Sequence, residues 1–225
     1  MKKLSIIINA HNEGLLLVPC IKSAIESANY SRVGYEIIIV ADRPNAQTIE
    51  TAEAFASDRI NIDIVDYGDL GYSRNHGIAN AKGEYIAFLD GDDMFGKTWL
   101  KKAVEQIEEE EGEVILHPQW NLYFGTNDFV TSHIDSKSME FDTLSLELAN
   151  YWTALSFGKK KTYQNFPYKN NDIINGFGYE DWNFNKRTVN AGVIHKAVPQ
   201  TYHAIRTKEI SMLRQHEASG VIVTR

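Results

Sequence analysis

The sequence predicts an α/β protein built on an open, largely parallel sheet, and three observations lead there. Short apolar segments rich in Ile or Val recur at Leu4–Ile8, Tyr35–Val40 and Glu84–Leu89. Helical periodicity fills the intervals between them. Each segment also runs directly into polar residues. A strand covered on both faces is apolar at nearly every position, whereas a strand covered on one face alternates.

The elements follow in order. After the strand Leu4–Ile8, residues Glu13 to Ala28 place Leu16, Leu17, Cys20, Ile21, Ala24 and Ile25 on one helical face. Pro19 fits that helix only within its first turn, where its missing N–H has no partner to lose. The strand Tyr35–Val40 leads to a second helix over Ala46 to Ala56, with Ile49, Ala52 and Phe55/Ala56 facing inward. Ile60–Val65 alternates and reads as a weaker strand. Asp69 to Gly83 reads as a helix ending near that glycine, before the strand Glu84–Leu89. Another helix runs from Thr98 to about Glu110, and Glu108–Glu113 reads as its solvated end with a stop at Gly112. Alternation of strand and helix over the first ninety residues is the pattern of an α/β sheet.

The second half is less regular. Residues 114–125, "VILHPQWNLYFG", read as a strand pair or a strand and turn, and residues 156–172, "SFGKKKTYQNFPYKNND", as a loop. Residues 176–192, "GFGYEDWNFNKRTVNAG", open with glycines and turn helical. No repeat or linker divides the chain. One domain over 1–225 is expected, with a nucleotide-binding-like half to about 115 and an irregular half from about 116.

Composition narrows the function classes. A net charge of -7 with no Lys/Arg-rich tract disfavours nucleic acid as a partner. The single cysteine, Cys20, excludes a disulfide framework and a thiolate metal cluster, and a reducing, cytoplasmic setting fits. The opening "MKKLSIIINAHNE" breaks too early for a leader, and no window reaches the roughly 18 apolar residues of a spanning helix. Any membrane association would be peripheral.

Ligands of open α/β sheets sit outside the carboxyl ends of the strands. Here those ends carry Asn9, His11, Asn12 and Glu13, then Asp42 and Arg43, then Asp90, Asp92 and Asp93. One aspartate would suffice to cap a following helix. Three crowded carboxylates repel one another unless a cation relieves them, and Mg²⁺ or Mn²⁺ bridges such groups to phosphates. Glu180 and Asp181, flanked by Phe177, Tyr179 and Trp182, admit two readings. They are either first-turn carboxylates favoured by the helix dipole or a base among pocket walls. His203 and Arg206 carry less by themselves, although a guanidinium fork suits phosphate.

These segments, taken together, resemble the inverting glycosyltransferases of family 2. The matching pieces stand in order as "SIIINAHNE", "IIIVADRPNAQT", "GYSRNHGIANAKGEYIAFLDGDD", "GYEDWNFNKRTVNAG" and "VPQTYHAIRTKEISM". The family more often has two adjacent aspartates in the second piece, where Ala41-Asp42-Arg43-Pro44 keeps one. The resemblance covers about residues 4 to 215. It implies the GT-A fold, a single α/β domain with a Rossmann-like nucleotide-binding half and a mixed central sheet.

The resemblance also implies roles. Ala10, His11, Asn12 and Glu13 cup the nucleotide, and Asp42 contacts the base or ribose. Arg74 and Asn75 lie near the diphosphate, with Asp90, Gly91 and Arg206 on the donor. Asp92, with Asp93 and His203, holds Mn²⁺ or Mg²⁺. Asp181 is the catalytic base, and Glu180 positions the acceptor or the helix. The last piece is the family's C-terminal loop. The implied partners are a nucleoside-diphosphate sugar, UDP-sugar foremost, and a saccharide or lipid-linked acceptor in polysaccharide or glycoconjugate assembly. The implied location is cytoplasmic, or peripheral at the inner face of the membrane.

Two rivals were weighed. A sugar-nucleotide pyrophosphorylase would place a glycine-rich, basic loop after the first strand, and this chain has none. A binding module without turnover has no need of Asp90, Asp92 and Asp181 together. Lys159–Lys161 with Tyr163, Phe166 and Tyr168 reads as a solvated loop, a lid or a lipid-phosphate patch.

Overall fold

The structure is a computed structural model that describes residues 3–208 and 221–223. Every residue of β1 (Leu4–Ala10) and β2 (Tyr35–Asp42) is buried, as two-sided coverage requires. β1 lies between β2 and β4 (Tyr85–Asp90), parallel to both, and β3 (Ile60–Val65) pairs parallel with the far side of β2. Successive side chains of a strand point to opposite faces, so one strand feeds two layers. Ile6, Ile8, Ile37 and Ile39 pack toward α1 (Leu17–Ser31) and α4 (Trp99–Glu109). Ile7, Ile38, Val40 and Phe88 pack toward the other layer, with Ile78 of α3 (Leu70–Asn80).

Local chemistry sets the helix boundaries. α1 follows a 3-10 turn at Gly14–Leu16, which leaves Pro19 in its first turn. α2 (Ala46–Glu53) is capped by the Asn45 side chain accepting from Thr48 N–H, and α3 by Asp69 accepting from Tyr72 N–H. α3 stops at Asn80, short of Gly83. That glycine lies against the backbone of β1 and donates its N–H to Ser5 Oγ at 2.8 Å, so it enters the sheet and does not close a helix.

The second half continues the same sheet. Residues 114–125 form one strand, β6 (Val114–Gly125), where a strand pair or a turn was expected. β6 runs parallel to β10 (Ile194–Thr207), with a shift of register between Val198 and Tyr202. Residues Val198–Thr207, expected as a loop, therefore belong to a strand. The rest of that motif from Glu209 lies outside the described residues. β8 (Phe157–Lys159) is antiparallel to both β4 and β6 and joins the halves. β5 (Met94–Phe95) caps β10, and β7 (Phe129–Ser132) hangs from β6, giving the order β3-β2-β1-β4-β8-β6-β10-β5.

Residues 157–165 are not a solvated loop. β8 and α5 (Lys160–Asn165) occupy the segment, and Tyr163 and Tyr168 are buried against Phe88 and Phe184. Their ring area wins over the polarity of the neighbouring lysines. Within Glu108–Glu113, Glu110 pairs with Lys196 at 2.7 Å and Glu113 accepts from Thr162, so the run is only partly a solvated end.

A group of histidines is sealed beneath β6 and β10. His117 Nε2 lies 3.0 Å from His195 Nδ1, and His195 Nε2 lies 2.9 Å from Thr188 Oγ1. Trp152 covers this pair, its ring 4.3 Å from His195, and donates Nε1–H to Ile134 O. Burial pulls His133 down to about 4 and His195 to about 3, and holds His117 well below its ordinary value.

Candidate active site

The polar ends of β1, β2 and β4 do converge, but many of their side chains are committed to one another. Asp42 accepts from the N–H groups of Tyr67, Gly68 and Asp69 at 2.8–3.0 Å and from Ser73 Oγ at 3.0 Å. Its carboxylate thus organises the turn into α3. Asn12 Oδ1 accepts from Asn45 N at 2.8 Å, and His11 Nδ1 contacts Asp42 O, stitching the loops after β1 and β2 together. His11 and Asn12 remain exposed, while Ala10 is buried at the end of β1. Glu13 accepts from His11 N–H, and burial with Asp92 nearby pushes its carboxyl up.

Gly91 donates to Asn9 O at 2.8 Å, and a Cβ there would stand 3.0 Å from that oxygen. This close approach turns the chain out of β4 and carries it across to β10. Asp93 is delivered to β10 as a result, and its Oδ1 accepts from Arg206 N at 2.8 Å. Burial, Asp92 and Asp90 hold the Asp93 carboxyl well above its ordinary value. Asp92 Oδ2 meets Lys208 Nζ at 2.6 Å. The Arg206 guanidinium stacks on Phe124, 4.5 Å from the ring centre.

Arg74 has no exposed surface. Its Nη2 donates to Asp90 Oδ1 at 3.1 Å, and its Nε lies 3.6 Å from Glu180 Oε1. Phe88 and Tyr168 flank the guanidinium at 5.4 and 5.6 Å. Asn75 is turned inward as well, exchanging two hydrogen bonds with the backbone of Tyr168 at 2.8 and 2.9 Å. These two residues, expected near the diphosphate, have partners within the protein: Arg74 on Asp90 and Glu180, Asn75 on the backbone of Tyr168. Arg74 links the end of β4 to the start of α6 (Glu180–Asn190). It brings the two carboxylate motifs of the sequence to one place.

Asp181 stands half-buried in the first turn of α6. Burial and the adjacent Glu180 push its carboxyl up to about 7 against the pull of Arg74. Tyr179, at φ 59, turns the chain sharply into the helix, and its ring meets Trp182 at 5.7 Å. A cleft of about 760 Å³ opens beside them, lined by Phe177, Tyr179, Trp182, Lys186 and Ile222.

The structure does not gather Asp92, Asp93 and His203 into one shell. Among the described residues no three of His, Cys, Asp and Glu stand together as metal ligands. His203 is wholly buried between Phe95 and Trp99, each ring 5.0 Å away, and burial holds its imidazole well below its ordinary value. The aspartates do suit a divalent cation. They are hard oxygen donors crowded at one strand end, and a cationic group already lies on Asp92. Sequence reasoning passed over Lys208, which stands within a quoted motif, and Asn150, which donates to Asp181 Oδ2 at 3.3 Å. No sequence signal marks Asn150.

The sequence matches the profile described as glycosyl transferase family 2 over residues 5–177. The chain belongs to that family. Among relatives, it is 26% identical to Glycosyltransferase GlyG of Streptococcus pneumoniae over 52% of this chain and 39% of that protein. It is 27% identical to the poly(ribitol-phosphate) beta-N-acetylglucosaminyltransferase TarS of Staphylococcus aureus, over 52% of this chain and 21% of TarS. The matches thus span well under half of these relatives. The crystal structure of S. aureus TarS 1-349 with UDP-GlcNAc superposes with a TM-score of 0.66 at 18% identity, over 94% of this chain and 60% of that one. That likeness shows a shared GT-A fold.

Proposed function

We propose that this family 2 chain is an inverting glycosyltransferase that moves a sugar from a UDP-sugar to an acceptor hydroxyl with the help of Mn²⁺ or Mg²⁺. The observation that carries this reading is the Arg74 junction. It brings Asp90, at the donor end of the sheet, to Glu180, whose neighbour is Asp181 and whose flanking Tyr179 and Trp182 line an aromatic cleft. Family membership and the UDP-GlcNAc complex of TarS support it.

The acceptor oxygen attacks the anomeric carbon as its proton passes to Asp181. The bond from that carbon to the diphosphate oxygen breaks, and its electron pair leaves with UDP. One displacement inverts the centre. A base with a carboxyl near 7 is half-ionised at neutral pH and accepts a proton readily once ionised. Asp92, with Asp90 or Asp93, would hold the divalent cation, which when bound supplies charge to the leaving diphosphate. Arg206 contributes its backbone N–H to Asp93, while its guanidinium lies over Phe124. Trp182 and Tyr179 offer apolar ring faces on which a saccharide acceptor can lie. Among the described residues no helix is long and apolar enough to cross a membrane.

Asp181→Asn tests the assignment. The variant should bind UDP-GlcNAc as tightly as the parent while transfer falls by about 10²–10⁴-fold. Near-normal turnover would remove Asp181 as the base.

A further inference from the structure

We propose that Asn150 is a positioning residue for the base, orienting the Asp181 carboxylate by donating one hydrogen bond to it. The inference rests on Asp181 being the base. It concerns a residue in the stretch between β7 and β8, outside every motif in the sequence.

The geometry fixes which way the Asn150 amide faces. Asn185 Nδ2 lies 3.2 Å from Trp152 O, a carbonyl that can only accept, so that nitrogen is the donor end of the Asn185 amide. The same Nδ2 lies 3.0 Å from Asn150 Oδ1, which must therefore be the acceptor end. Trp152 N–H, which can only donate, points to the same Oδ1 at 3.4 Å. Two independent donors thus hold the Asn150 oxygen inward. Its Nδ2 is left facing Asp181 Oδ2 at 3.3 Å. The reverse orientation would set a carbonyl dipole against a carboxylate.

The support behind this amide is rigid. Trp152 is buried, tied through Nε1 to Ile134 O, stacked on His117 and tilted against His195. Asn185 is buried one turn along α6 from Asp181 itself. Asn150 therefore bridges a fixed loop and the helix that carries the base. A hydrogen bond of this kind favours the ionised carboxylate and fixes its direction for taking the acceptor's proton.

Other charged and titratable groups act on Asp181 from each neighbouring element. Glu180 raises it from its own helix, Arg74 on α3 lowers it, and Asp90 at the end of β4 raises it. Tyr123 on β6 and Tyr168 lie within electrostatic reach. Asn150 and the Trp182 backbone N–H are neutral donors in this set, and loss of the Asn150 amide moves the carboxyl upward.

Asn150→Asp is the discriminating variant. It is isosteric and its oxygen can still accept from Asn185 and Trp152, so the loop stays anchored while the donor to Asp181 becomes a carboxylate. The probe is ¹³C titration of the Asp181 carboxyl in the ligand-free protein, with the signal assigned by its loss in Asp181→Asn. The Asp181 midpoint should rise by at least one pH unit in Asn150→Asp and by a smaller amount in Asn150→Ala. With UDP-GlcNAc as donor, the acidic limb of kcat should move up by the same interval, about a fivefold loss at pH 7 for a one-unit rise from about 7, with donor KM unchanged. An Asp181 titration in Asn150→Asp that matches the parent would overturn the proposal and leave Asn150 a loop anchor. An active Asp181→Asn would instead overturn the base assignment, so the two failures are distinguishable.

Discussion

Arg74→Met isolates the charge at the junction of the two motifs. Methionine is similar in length and keeps a polarisable contact with Phe88 and Tyr168, so packing changes little while the cation disappears. Asp90 then loses its 3.1 Å partner and Glu180 its 3.6 Å neighbour, both at a site closed to solvent around the arginine. Removing one member of a buried ion pair costs about 3–5 kcal/mol, because the other charge stays buried without compensation. The Asp90 contact is shorter and better directed, but that carboxylate is 32% exposed and water compensates part of its loss, so the figure lies at the lower end and the buried Glu180 shares it. A typical domain holds about 5–15 kcal/mol in total, so the variant should fold with a third or more of its stability gone.

The pH dependence identifies the mechanism. Burial already raises the Asp90 carboxyl, and Arg74 opposes that rise. Without the arginine the folded-state value climbs further above the unfolded one. A carboxyl raised in the folded state contributes stability at low pH and loses it as pH rises through the folded value. The Arg74→Met penalty should therefore be full at pH 8 and shrink toward pH 5. Urea unfolding at both pH values, followed by tryptophan fluorescence, measures it, with an unchanged m-value showing that only stability has moved. A penalty under about 1 kcal/mol at pH 8, or one that is equal at the two pH values, would refute the strut.

Two further outcomes are expected. Asp92→Ala should abolish the gain in UDP-GlcNAc affinity that Mn²⁺ provides, and calorimetric titrations showing the same gain as the parent would dismiss Asp92 as a ligand. The buried histidines should weaken the fold in acid. His195 titrates at about 3 when folded and near 6.5 when unfolded, so the unfolded chain binds the extra proton. Stability is therefore lost as pH falls from about 6.5, at about 1.4 kcal/mol per pH unit for each such histidine. His195→Gln should flatten that slope by about one proton between pH 6 and 5, and an unaltered slope would exclude the histidine as its source.

The first half of the fold was legible because its signal is local. Leu4–Ile8 and Tyr35–Val40 are apolar but for Ser5 and Glu36, which hydrogen-bond each other at 2.7 Å, and burial on two faces leaves little other pattern for a strand to show. The polar residues at the strand ends were equally visible. Their assignments were less so. Asp42 and Arg74 look like ligand-binding side chains in a string, yet both are occupied by internal partners. In the second half, lysines next to Tyr163 suggested a solvated loop, because sequence does not reveal which neighbour the ring will meet. Tyr168 closes on Asn75, 93 residues earlier. Asp93 and Arg206 meet across 113 residues.

What the sequence determined by itself was the kind of protein: a parallel α/β sheet, carboxylates delivered at its carboxyl edge, and an order of motifs shared with family 2. Those features depend on residues a few positions apart, where backbone periodicity alone sets who is buried. Tertiary structure decided which carboxylates are free. It clamped Asp42 in backbone N–H groups, spent Arg74 on Asp90 and Glu180, sealed His203 between two rings, and left Asp181 half-exposed beneath Asn150. The physical reason is that the charge state and direction of a side chain follow from burial and from partners that folding brings in from far along the chain.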